Sequence, residues 1–314
     1  MKNFKVVKYT IGVLFLINLS ACGQTNNVTE AVNQEGSVTV TDFTDRSITF
    51  YETPKKIVAL GNGDLDIIYA LDEVVIGRPN ETDEPIIEDA VEAEEVGTTH
   101  EINYEKIALL AADVVLANSG LNEKDVPTIE AIGTKVILTH ANSIEDIKNQ
   151  ITLYGDLLDQ KEKAINLNTK LDNELEGLQK SVNSPRVLLV YGAPGTYMAA
   201  LDNSLSGDIL KEAGGMNIAS EYPTLKEFPQ YAQINTEHVV DSDPDLVLLI
   251  THGNTEEVKK GFIKEMEQNA AWNNISAVEQ GNINVLPSDL FGTNPGTRVV
   301  EAVSYMVDIL NDLE

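Results

Sequence analysis

Most constraining for the fold is an alternation sustained along the chain, in which short apolar runs take turns with segments whose apolar residues recur at helical spacing. The runs fall at residues 57–60, 74–77, 114–117 and 136–138, and again at 187–191, 246–250 and 283–286. Runs of this length, with no polar alternation inside them, suit strands buried on both faces. Helical stretches between them supply the cover, so the chain predicts a largely parallel sheet flanked by helices. Ahead of the first run, residues 37–44 and 45–50 alternate like the two arms of a hairpin, which Pro54 ends.

The alternation breaks once. From Ser143 about forty residues read as helical, and within them residues 161–182 carry Ala164, Leu167, Leu171, Leu175 and Leu178 on one face. A helix of ~22 residues is ~33 Å long, enough to join two small lobes stiffly and to allow little closure between them. The expected organisation is therefore an α/β lobe over 37–159, a connecting helix over 160–183 and a second α/β lobe over 184–314. The lobes also share a sequence unit. Asn103-Tyr104-Glu105-Lys106-Ile107 precedes Asp113-Val114-Val115-Leu116, and Asn235-Thr236-Glu237-His238-Val239 precedes Asp245-Leu246-Val247-Leu248. Glu and Asp are eight residues apart in both, which predicts two related units facing each other across a cleft.

The first residues carry an address. Lys2, Lys5 and Lys8 precede an apolar run over residues 9–19, too short to span a bilayer, and small residues follow. Leu19-Ser20-Ala21-Cys22 resembles the lipobox of bacterial lipoproteins. That likeness makes residues 1–21 a signal peptide and Cys22, the single cysteine, the lipidated residue, followed by a polar tether over 22–36. It implies a body held by its lipid at the extracytoplasmic face of a bacterial cell membrane. One cysteine also excludes a disulfide framework and a thiolate zinc cluster. With 50 acidic against 22 basic residues and a formal charge of −28, the 314-residue chain repels phosphate backbones, so nucleic acid is not an expected partner.

Catalytic signatures are missing. There is no Gly-x-Ser-x-Gly elbow, no phosphate loop with its lysine and no His-Glu-x-x-His pair. Gly61-Asn62-Gly63-Asp64 reads as a strand-to-helix turn lining the cleft, since Asp64 would repel a phosphate. No enzymatic activity is expected.

The lipobox, the two lobes and the long joining helix together resemble the solute-binding lipoproteins that feed ABC importers of haem, siderophores and corrinoids. Within that class the chain is most like the haem-receptor lipoproteins of Gram-positive iron-regulated surface haem-uptake systems. The likeness covers most of the mature chain and is densest at residues 187–197, at residues 207–215 and at Thr251-His252-Gly253 with the Glu256-Glu257-Val258-Lys259-Lys260 that follows. It implies the class III periplasmic-binding-protein fold, two Rossmann-like lobes joined by one helix. It also implies haem carried in the inter-lobe cleft, with a histidine matching His252 on one face of the iron and a methionine on the other. The position of that methionine falls in the stretch 95–101, where this chain has His100, and a second imidazole is a sound axial ligand. His140, at the end of a predicted strand, is the alternative ligand.

A haem slot needs apolar walls and partners for the propionates. Candidate walls are Asn62 in lobe one and Tyr191, Tyr197, Met198, Phe228, Tyr231 and Phe291 in lobe two, any of which could instead be ordinary core. Candidate propionate partners are Arg78, Lys226 and Arg298, in a chain with four arginines. That scarcity favours haem over anionic siderophores, which call for clustered cations. A ferric-siderophore or corrinoid receptor of the same fold stays as the alternative, and no bare metal site is expected. The class further implies that Glu105 and Glu237 dock into a permease dimer, one charge per lobe. A surface protein donating haem and a monomeric state complete the expectation.

Overall fold

The computed structural model describes residues 36–80, 86–193, 196–251, 255–268 and 270–313. The leader, Cys22 and the tether up to residue 35 lie outside the described residues, and so does His252. Residues 36–314 form one compact unit.

The chain begins with the hairpin of β1 (Val38–Thr41) and β2 (Ser47–Phe50). Lobe one follows as β3 (Ile57–Ala59), α1 (Asn62–Ala70), β4 (Gly77–Arg78), β5 (Glu94–Glu95), α2 (Tyr104–Leu110), β6 (Val114–Asn118), α3 (Ser119–Asn122), α4 (Val126–Ala131), β7 (Lys135–Thr139) and α5 (Ile144–Leu157). Its five strands are all parallel, in the order β5-β4-β3-β6-β7. Ile57, Val58, Ala59, Val114, Val115 and Leu116 are buried, as the central strands of a doubly covered sheet must be. The hairpin guards the β7 edge. Phe43 donates its N–H to the Leu138 carbonyl (3.0 Å), and Asp42 accepts the Leu138 N–H (3.1 Å) and holds Arg46 (2.7 Å). An exposed strand edge is thereby covered.

The forty helical residues form two helices. Asp159 takes a left-handed φ of 58° between α5 and α6 (Lys161–Gly177), which turns the chain back on itself. Gly155 lets the Ala164 methyl of α6 press against the α5 backbone, where an added Cβ would collide with it. The joining helix ends five residues earlier than its apolar spacing predicts. Leu178 is already extended, and the Ser181 N–H donates to the Ala213 carbonyl (2.9 Å), drawing the chain into lobe two.

Lobe two contains β8 (Arg186–Ala193), β9 (Thr196–Ala200), α7 (Leu205–Glu212), β10 (Met216–Asn217), β11 (Tyr231–Gln233), α8 (Thr236–Ser242), β12 (Leu246–Ile250), α9 (Thr255–Met266), α10 (Ser276–Glu279), β13 (Ile283–Val285), α11 (Ser288–Phe291) and α12 (Val299–Asn311). Its strand order is β11-β9-β8-β12-β13, with β10 alongside the start of β8. β8, β12 and β13 are parallel, whereas β9 and β11 run antiparallel. Lobe two therefore matches lobe one at its centre and not at its β9 edge. A continuous core runs through both lobes beneath α5, α6, α7 and α12, and a smaller apolar cluster fills the outer face of each sheet.

The repeated sequence unit is a repeated structure. Asn103 caps α2 by accepting the Lys106 N–H (3.1 Å), and Asn235 caps α8 by accepting those of Glu237 (3.0 Å) and His238 (3.3 Å). Each seven-residue helix buries one inward side chain, Ile107 or Val239, and ends on a left-handed residue, Ala111 or Asp243. Each then leads to an aspartate that clamps the preceding strand. Asp113 accepts the N–H groups of Lys55 and Lys56 (both 2.9 Å), and Asp245 accepts that of Arg186 (2.8 Å).

Candidate functional site

In an open parallel sheet, ligands gather beyond the carboxyl ends of the strands, where helix N-termini and loops converge. In lobe one those ends give the turn after β3, the loop after β5, Asn118 and His140. In lobe two they give the end of β8 and Thr251. The lobes meet beside these ends in a joint that is polar and buried. Asp64, 7% exposed in the first turn of α1, accepts the Tyr154 hydroxyl (2.6 Å). Thr139 donates weakly to the same oxygen (3.5 Å) and accepts from Gln150 Nε2 (2.7 Å). Gln150 Oε1 then accepts from Asn294 of lobe two (2.9 Å). Gly63 leaves room for the Asn294 side chain, which any Cβ there would strike. Asp66 accepts the Thr297 N–H (2.5 Å), and Asp208 of α7 accepts that of Ile144 at the start of α5 (2.8 Å). Burial pushes the Asp64 carboxyl up to about 6, against the lowering effect of its two hydroxyl partners. Burial likewise raises Asp66 and Asp208.

His100 lies exposed at the tip of a tight loop between β5 and α2. Gly97 opens the loop with φ +101°, and an antiparallel bridge from Gly97 to Ile102 closes it. Asn80 accepts the Gly97 N–H (2.9 Å) and donates its own to the Gly97 carbonyl (2.8 Å). Inside the loop, Thr98 Oγ1 accepts the N–H groups of His100 and Glu101 (both 3.2 Å), and the Thr98 N–H donates to the Glu101 carbonyl (2.9 Å).

His140 is already engaged. Its Nδ1 lies 3.1 Å from the Ser119 hydroxyl, its ring packs edge-on against Phe43 (5.1 Å between centroids), and Nε2 is 3.9 Å from Asp146. It borders a groove of about 530 Å³ between the hairpin and α5, lined also by Thr39, Asn149 and Asp156.

Among the candidate walls, the register brings three together. Tyr191 pairs with Met198, and Tyr231 pairs with Ala200, two residues along the same face. The Tyr191 and Tyr231 rings are 5.2 Å apart. Burial raises both phenols, Tyr231 to about 12, so at neutral pH both are uncharged donors. Phe228 is half exposed (49%) on the turn where its carbonyl accepts the Tyr231 N–H (2.9 Å). Tyr197 belongs elsewhere: it packs on Phe262 (5.3 Å) and its hydroxyl donates to the Val258 carbonyl (3.3 Å), on the opposite face of the sheet. Phe291 is likewise core, 5% exposed and set against Tyr305. Asn62 begins α1, and its Oδ1 is buried without a hydrogen-bond partner.

The cationic candidates are mostly committed. Arg78 is 7% exposed and pairs with Glu95 (3.1 Å), and Arg298 pairs with Asp289 (2.7 Å) and Glu301 (3.2 Å). Arg46 and Arg186 pair with Asp42 and Asp245. Each of the four arginines thus has an acidic partner within the protein, and Arg78 and Arg298 are better explained as structural. Lys226 is exposed. Glu105 and Glu237 are both exposed in the first turns of α2 and α8, and Leu109, one turn beyond Glu105, is 85% exposed. The polar joint escaped sequence reading, although Gln150 and Tyr154 sit on the apolar face of α5 beside Ile147 and Ile151, a pattern that marks a buried polar network.

Against known proteins, residues 57–290 match the family described as periplasmic binding protein. The chain belongs to that family. It is 31% identical over 219 residues to the high-affinity heme uptake system protein IsdE of Staphylococcus aureus, a match spanning 68% of this chain and 73% of the relative. The crystal structure of S. aureus IsdE complexed with heme superposes with a TM-score of 0.68 at 29% identity, covering 81% of this chain and 98% of that one. An ABC transporter substrate-binding protein from Listeria monocytogenes EGD-e gives 0.72 at 27% identity, covering 82% and 99%. S. aureus SirA complexed with staphyloferrin B gives 0.70, covering 87% and 98%, at 18% identity, a likeness of fold alone. The chain is an extracytoplasmic substrate-binding protein of the two-lobed α/β class, not an enzyme.

Proposed function

We propose that this protein captures haem between its lobes by axial ligation from His100 and His252 and delivers it to the permease dimer of an ABC importer. The broader assignment, a substrate-binding protein of uptake systems for haem or siderophores, rests on IsdE and on the shared fold. The observation that carries the narrower one is the mounting of His100, exposed on a braced loop beyond the carboxyl end of the lobe-one sheet. His252 follows β12 by two residues in the sequence. Tyr191, Met198 and Tyr231 offer an apolar wall in lobe two, with Asn62 on the lobe-one side. The pairing of all four arginines argues against an anionic siderophore, whose grip needs uncommitted guanidinium groups. Lys226 and backbone N–H groups are left for the propionates.

Lipidation at Cys22 would hold the body at the membrane, and Glu105 with Glu237 would present one charge per lobe to the permease. The exposed Leu109 beside Glu105 adds an apolar contact to that face. Haemin titration of the purified protein tests the ligand. A Soret band with low-spin bis-histidine absorption and EPR features is expected in the wild type, turning high-spin in His100→Ala and in His252→Ala. Removing both should weaken binding on the order of a hundredfold or more. Absence of a Soret band, with tight uptake of a ferric siderophore or a corrinoid instead, would overturn the proposal.

A further inference from the structure

We propose that Asn122 is the positioning residue of His100, fixing the peptide that carries it before any ligand arrives; this rests on the reading of His100 as an iron ligand. Asn122 is fully buried (0% exposed) at the end of α3, and each of its polar groups is used. Its Oδ1 accepts the Asn118 N–H at the end of β6 (3.1 Å). Its Nδ2 donates to Asp125 Oδ2 (3.1 Å) and to the Thr99 carbonyl (2.7 Å). That carbonyl belongs to the same peptide plane as the His100 N–H, which Thr98 Oγ1 accepts. The plane leading into His100 is thus held at both ends, on one side by a residue from a different strand-to-helix junction.

Asp125 extends the brace. It also accepts the Tyr104 hydroxyl (2.8 Å), and Tyr104 opens α2 four residues after His100. Both flanks of the loop are therefore tied to the same buried carboxylate. An imidazole on a free loop would lose backbone freedom on each binding event. Here the ordering of the backbone is built in during folding, so the peptide that carries the ring is already in place. A carboxylate could not replace the amide, because Nδ2 faces two acceptors and a second oxygen would leave three acceptors facing one another.

The test compares haemin-loaded, full-length wild type, His100→Ala, Asn122→Ala and the milder Thr98→Val, which removes the hydroxyl at the other end of the plane without opening the core. Asn122→Ala should acquire a high-spin component that added imidazole converts back to low-spin, with haem affinity down about tenfold. Thr98→Val should shift the same way by less, with an unchanged melting temperature. If His100→Ala turns high-spin while Asn122→Ala and Thr98→Val keep the wild-type spectrum, the positioning role is overturned and the ligand assignment stands. If His100→Ala itself keeps the wild-type spectrum, the ligand assignment fails and this proposal with it. Should Asn122→Ala fail to fold, Thr98→Val decides between these outcomes.

Discussion

The two lobes are alike at their repeated helix-and-strand unit and unlike in the strands that flank it. Their common unit is an asparagine-capped helix with a glutamate in its first turn, a left-handed end and an aspartate clamping the neighbouring strand. Around that unit lobe one stays all-parallel, with a short outer strand that leads into the His100 loop. Lobe two adds the antiparallel β9 and β11 and sets Tyr191, Met198 and Tyr231 on one face. The likeness lies in the part that would contact a symmetrical partner, and the divergence lies at the sheet edges. A duplicated scaffold can keep one surface constant while strand additions reshape another, which under the proposed function is the cargo wall.

The largest expected effect probes the constant surface. Under the proposed docking, Glu105→Lys with Glu237→Lys should abolish uptake of iron-labelled haem by cells while leaving haemin titration of the purified protein unchanged. Singly, Glu105→Lys should reduce uptake about tenfold or more and exceed Glu237→Lys, because only the lobe-one glutamate has an exposed leucine beside it. Equal single effects would mean that Leu109 takes no part.

Next comes the joint, whose buried carboxylates on α1 belong to lobe one. Asp64 titrates near 6 in the folded chain against an ordinary 3.8, so the folded state holds its proton more tightly than the unfolded chain. The stability from this group is therefore greatest below about pH 4 and is lost as pH rises toward 6. A shift of that size corresponds to about 3 kcal/mol at most. Urea unfolding of Asp64→Asn between pH 4 and 7 should lack that part of the decline. Parallel pH profiles for variant and wild type would show that the carboxyl is not desolvated.

The smallest effect compares the two clamps. Asp113→Ala removes a carboxylate that accepts two backbone N–H groups and should cost about 1–2 kcal/mol. Asp245→Ala also removes the guanidinium contacts of Arg186 (2.8 and 3.2 Å), but both side chains are about 40% exposed. The extra loss should stay below about 1 kcal/mol. A difference of several kcal/mol in denaturant unfolding would contradict the equivalence of the two units.

Much of this was legible in the sequence, and what was not has physical reasons. The Val- and Ile-rich strands and the duplicated Asn-Glu-Asp spacing were readable because burial on both faces and helix capping impose composition directly. β5 was invisible because its two residues are glutamates, and β9 and β11 because Thr196–Ala200 and Tyr231–Gln233 are short and become strands only by pairing. The Ala193-Pro194-Gly195-Thr196 stretch was the available hairpin signal. His100 stood out only through the family resemblance, since nothing local marks an exposed histidine as a ligand. Asn122 was undetectable, for an asparagine in a polar segment carries no sign of the carbonyl it will hold. The pairing of Arg78 with Glu95, seventeen residues on, leaves no trace in either neighbourhood, whereas Glu301, three residues after Arg298, was the local sign that this arginine has an acidic partner.

The chain of hydrogen bonds from Asp64 through Tyr154, Thr139 and Gln150 to Asn294 acts as a locked pivot. Swinging one half away from the other would break the bonds that cross the joint, Asn294 to Gln150, Thr297 to Asp66 and Ile144 to Asp208, and each partner left dry would cost about 1–3 kcal/mol. These contacts oppose spontaneous gaping of the halves. Under the proposed function, unloading would then fall to the permease underneath, by prying the halves apart or pulling the loops at the rim.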